Sequence, residues 1–186
     1  MKHFAISAAL VAGLGVAAIN PAQAANDGTI AVVGTVTNTT CLVDGNAPGS
    51  GLADHDVDLL GVPAAQLDAA GKVAGDKLVT IRIGGPTDTN CTNGDHAFVR
   101  FDPASPNIHY ATGRLKNTAA TGPAANVMIE IANANGTAID LANSDSAGYE
   151  IVNHETQIPL IVRMYSTGVA GTGAVASEVG YQIVYN

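Results

Sequence analysis

Beyond its first two dozen positions the chain sets short β-branched runs between clusters of Gly, Pro, Asn and Asp, about every ten residues. That spacing predicts antiparallel strands, not helices. Over Lys77 to Ile83, Leu78, Thr80 and Arg82 alternate with Val79, Ile81 and Ile83; Ala97 to Phe101 alternates around Phe98 and Arg100. Asn126 to Ala132 puts Val127, Ile129 and Ile131 on one face, and further strands are predicted at Val57–Leu60, Gly113–Lys116, Thr137–Leu141, Ile158–Tyr165 and Val179–Tyr185. Only Pro63 to Ala74 has any helical character, weakened by Gly71 and Val73. Strands with one apolar and one polar face require two sheets packed on each other, so the predicted fold is an all-β sandwich.

The N-terminal run Thr29 to Val43 is extended too, with Ile30, Val32, Gly34 and Val36 on one face and Ala31, Val33 and Thr35 on the other. Periodicity alone leaves open whether it pairs within its own sandwich or with another molecule, and slightly favours an ordinary first strand. Before it, basic Met1-Lys2-His3, apolar Phe4 to Ile19 and small residues in Pro21-Ala22-Gln23-Ala24 read as a secretory signal peptide cleaved after Ala24. The apolar run falls short of the roughly 20 residues that span a bilayer, so direct membrane insertion is not expected.

Composition narrows the function classes. Only 13% of residues are charged and 4% aromatic, while 47% are hydrophobic, which excludes a disordered chain and a coiled coil. A net charge of -8 with few, scattered cations repels phosphate backbones, so nucleic-acid partners are not expected. Export to an oxidising compartment makes the two cysteines, Cys41 and Cys91, candidates for a disulfide. A long loop closed in this way stabilises by roughly 4 kcal/mol in the chain-entropy picture. The five histidines, His3, His55, His96, His109 and His154, show no HxH or HxxxH spacing, and there is no GxSxG or phosphate loop. Asp54, Asp56 and Asp58 around His55 lack the Gly and closing Glu of a calcium loop. No catalytic residue, metal or cofactor is expected.

Several ordered fragments remain to be placed: Gly34-Thr35-Val36 leading into Cys41-Leu42-Val43-Asp44, Val57-Asp58-Leu59-Leu60-Gly61, Cys91, Leu115-Lys116-Asn117-Thr118-Ala119, Asn135-Gly136-Thr137, Ile158-Pro159-Leu160, and Arg163 to Gly168 with Gly173 and the closing Val179, Tyr181, Ile183 and Tyr185. In this order and spacing they resemble the pilin subunits of the chaperone–usher pathway, in particular the major subunits of type 1 fimbriae. The resemblance runs through nearly the whole of residues 25–186.

It implies an immunoglobulin-like β-sandwich lacking the C-terminal strand and completed by a donor strand from another subunit, so that a lone subunit exposes core side chains and an unpaired strand edge. It implies as partners copies of the chain or other fimbrial subunits, a periplasmic chaperone and an outer-membrane usher, with export through the periplasm to a fimbrium on the bacterial surface. The expected division is residues 1–24 as signal peptide, 25–35 as donor-strand extension and 36–186 as pilin domain. Ile30 and Val32 are then the donor's inward anchors and Gly34 the position where a side chain collides with the partner's core. Leu160, Val162 and Met164 edge the acceptor groove, with the strand after Val36 opposite. Gly173, Val179, Tyr181, Ile183, Tyr185 and the carboxylate of Asn186 form the chaperone-binding end. The four residues Ala25 to Gly28 ahead of the donor strand are fewer than is typical of the group, which leaves the deepest pocket to Asn26 or empty. The implied function is a structural fimbrial subunit supporting adhesion; a minor adaptor or tip-associated subunit and a self-contained secreted sandwich are the alternatives.

Overall fold

A computed structural model describes residues 39–186. The expectations for the signal peptide and for Ile30, Val32 and Gly34 lie outside these residues. Eight strands follow in chain order: β1 (Val73–Gly84), β2 (His96–Phe101), β3 (Ile108–His109), β4 (Arg114–Lys116), β5 (Val127–Asn133), β6 (Tyr149–Glu150), β7 (Glu155–Ser166) and β8 (Tyr181–Tyr185). One sheet has the order β1-β7-β5-β4-β3 and the other β6-β2-β8, with every pairing antiparallel.

The alternation read from the sequence decides which face each strand buries. Ile81 and Ile83 of β1, Ile129 and Ile131 of β5, and Ile158 and Leu160 of β7 point inward against Ala97, Val99 and Phe101 of β2, and all are buried. The opposite face of β1 carries Leu78, 69% exposed. The bond between Cys41 and Cys91 sits inside this core, both residues fully buried. A second cluster at one end, formed by Leu67, Ala74, Ala124, Val127, Met164 and Ala170, is linked to the first by Leu59 and Val175.

Three predicted elements differ. Pro63 to Ala74 yields only a short 3-10 helix, Ala64–Leu67, and Val73 already opens β1. Thr137–Leu141 forms no strand: Ile139 and Leu141 are buried, but the segment meets β5 through a single bridge, Ala132↔Ala138. Val57–Leu60 is not a strand either, because no ladder partner lies beside it among the described residues.

One outward position is not polar in the ordinary sense. Glu130 faces away from the core, yet is only 2% exposed. Its carboxylate is held between Arg114, whose Nε donates at 2.7 Å, and Arg163, whose Nε and Nη2 donate at 2.9 and 2.7 Å. Arg114 also lies over the Tyr165 ring, 3.8 Å from its centre. Three neighbouring strands, β4, β5 and β7, thus share one buried ionic tie.

Candidate functional site: an apolar groove between two strand edges

Between the two sheets the described residues leave a groove of about 1630 Å³. Its floor is the inner face of the five-stranded sheet: Val79 and Ile81 from β1, Ile129 and Ile131 from β5, and Leu160, Val162 and Met164 from β7. The sequence reading set the last three at the groove's edge. They line it, but β7 is flanked on both sides, by β1 and β5, so they form the floor and the free edges lie elsewhere.

The first rim is β8. It pairs with β2 from Ala97↔Tyr185 to Phe101↔Tyr181, and its other edge has no strand beside it among the described residues. Val179, Tyr181, Ile183 and Tyr185 pack against the core and line the groove. Asn186 prolongs the pairing with β2, exchanging main-chain hydrogen bonds with His96 at 2.9 and 3.2 Å.

Gly173 lies outside β8, in the arm before it. A Cβ there would come within 2.4 Å of the Gly122 carbonyl oxygen and 2.5 Å of the Ala124 nitrogen. That approach lets Ala174 bond Gly122 and Ala124, each at 2.8 Å, and seats the arm on the second cluster. Glycine is therefore required by packing within this domain.

The second rim is the segment 53–62, which sequence reasoning did not assign. Its backbone makes no main-chain hydrogen bond to any other described residue. Side chains hold it instead: the Tyr181 hydroxyl donates to the Ala53 carbonyl at 2.6 Å, and His55 Nε2 lies 2.9 Å from Asp44 Oδ2. Asp44 is itself fixed, since its other carboxylate oxygen accepts the Arg82 amide at 3.0 Å. The alternation of Asp54, Asp56 and Asp58 with inward Val57 and Leu59 was the available signal for this rim.

Electrostatics at the groove is set by burial. Burial raises the Tyr181 phenol to about 12, helped by the carboxylates of Asp44 and Asp54. Burial likewise raises Tyr185 to about 12, against an opposing effect of the Cys41 backbone. Both phenols therefore stay neutral across the physiological range. No group of three His, Cys, Asp or Glu side chains able to hold a metal occurs among the described residues. The β8 edge and the segment 53–62 thus border an aliphatic floor with main-chain groups that have no main-chain partner among the described residues.

Comparison with known proteins defines the class. The chain is 34% identical over 180 residues, covering 94% of it and 96% of the relative, to the F17 fimbrial protein of Escherichia coli. It is 32% identical over 171 residues, 87% of this chain and 94% of the relative, to the major fimbrial subunit SMF-1 of Stenotrophomonas maltophilia strain K279a. No family profile matches the chain. Among solved structures, the fold is similar to the P pilus rod subunit PapA, with TM-score 0.55 and 15% identity over 80% of this chain and all of that one. It is also similar to a chain in the structure of a chaperone–usher pilus, with TM-score 0.54 and 15% identity over 86% of this chain and 95% of that one. The protein has the immunoglobulin-like fold of pilus subunits and belongs to the family of fimbrial subunits, which are structural proteins and not enzymes.

Proposed function

We infer that the protein is a repeating structural subunit of a cell-surface fimbrium that supports adhesion and polymerises by strand donation, the groove of one copy receiving Thr29 to Thr35 of another. The observation that carries this reading is the pair of backbone edges without a main-chain partner among the described residues, β8 on its outer side and the segment 53–62, which border the floor of Leu160, Val162 and Met164. A strand laid between them satisfies both edges at once. Ile30 and Val32 are the anchors of the donated strand, each contributing roughly 1.5–3 kcal/mol on burial, and Gly34 is where the donor's backbone passes close to the floor. The donor segment Thr29 to Thr35 carries no charge, so the net negative charge of each copy puts no repulsion inside the groove.

Before assembly, the same exposed edge calls for a periplasmic chaperone that caps β8 along Val179 to Asn186, and handover to the next copy takes place at an outer-membrane usher. Deleting residues 25–35 tests the reading in cells carrying the assembly machinery. The expected product is a chaperone-bound, unpolymerised subunit; unaltered fibres overturn it.

A further inference from the structure

The second rim contains a residue in a conformation its side chain opposes. Leu60 has φ +56°, in the left-handed region, while Gly61 beside it, which could adopt that conformation freely, does not. Leu60 is 61% exposed, so packing does not compensate. What fixes the turn is Asp58, whose carboxylate accepts the Leu60 amide at 2.8 Å. Up to this turn, half-buried Val57 and Leu59 alternate with exposed Asp56, Asp58 and Leu60, the burial order of a strand. Just after it, Val62 abuts a bulge in β1: a Cβ on Gly75 would lie 2.9 Å from Val62 Cγ2 and 3.4 Å from the Leu59 oxygen.

We propose that the Asp58–Leu60 turn is a strained catch that holds residues 57–60 out of strand conformation while the groove is open, and that it extends into a strand when a donor enters. The proposal rests on the groove receiving a strand and names the residues that set the balance between the open and filled forms. In the open form the Leu60 amide is occupied by Asp58 and its backbone is left-handed. In the filled form the backbone extends, the amide is released to the ladder, and Asp58 turns to water. Strain stored in the open form is relieved on filling, so the catch shifts the balance towards the filled form.

Two substitutions act in opposite directions. Leu60→Gly removes the penalty for the left-handed turn, stabilises the open form, and is expected to weaken uptake of a synthetic peptide of residues 25–36 about tenfold. Asp58→Ala removes the bond that fixes the turn and is expected to tighten uptake severalfold. Leu52→Gly, at an exposed position without left-handed backbone, is the control and is expected to leave uptake unchanged.

The direct measurement is hydrogen exchange on the processed chain, residues 25–186, before and after peptide is added. The Asp58 amide, in ladder register with Leu60, and the amides of Tyr181, Ile183 and Tyr185, which point away from β2, are expected to exchange freely before and to become protected together. Protection confined to β8, protection of the Asp58 amide before any peptide is present, or unchanged uptake by Leu60→Gly overturns the catch while leaving the groove's role intact. Protection at neither segment at saturating peptide overturns the groove's role as well.

Discussion

Glu130 shows how much a single side chain can bind together. An isolated carboxylate at 2% exposure is costly, and here the cost is offset by two guanidiniums that are themselves mostly buried. Glu130→Gln keeps the shape but leaves Arg114 without a counter-charge and Arg163 with only Asp76 at 3.6 Å, so a loss of about 3 kcal/mol is expected in urea unfolding, the range for breaking one partner of a buried pair. An unchanged midpoint would show that water already screens the cluster. Gly173 makes the complementary point, since its neighbours are backbone atoms that cannot rotate away. Gly173→Ala is expected to lower the thermal midpoint by displacing the Gly122–Ala124 segment, with the second cluster around Met164 and Ala170 loosened first; selective loss of amide protection at Ala124 and Ala174 is the check.

Among the elements, β8 is the one whose state is coupled to function. It belongs to a three-stranded sheet, contributes two phenols to the groove, and keeps one edge without a partner among the described residues. Tyr181 and Tyr185, ordinarily near 10, are raised to about 12 by burial. A folded-state value above the unfolded one means that the phenols' contribution to stability is complete below pH 10 and declines as the pH rises towards 12. The tyrosinate signals of Tyr181 and Tyr185 are therefore expected to appear late, together with loss of structure; titration of these two phenols near pH 10 with the fold intact would contradict the burial of their rings. The β7 strand differs, being fixed by ladders on both sides.

For the molecule as a whole, an open sandwich is a compromise between stability and the capacity to polymerise. The Cys41–Cys91 bond inside the core and the ionic tie of Glu130 across β4, β5 and β7 of one sheet stabilise parts of the body that do not line the groove. Fimbrial relatives that match along nearly their full length place this architecture in a family of structural subunits.

Alternation alone was enough to locate β1, β2, β5, β7 and β8 and to assign their inward faces, because a period of two ties each side chain to one side of a sheet. The two-residue strands β3 and β6 are too short to carry a period. Val57–Leu60 and Thr137–Leu141 have strand-like sequences, but a strand needs a neighbour at hydrogen-bonding distance, and only the assembled sandwich says where neighbours are. The ordered fragments shared with pilins were likewise legible in the chain, whereas the floor position of Leu160, Val162 and Met164, the rim at 53–62, the left-handed Leu60 and the burial of Glu130 were not. Local pattern thus determined which residues face inward, since that depends on adjacent positions; the tertiary structure decided which edges were left open and which charges were enclosed, since those depend on residues far apart in the chain meeting in space.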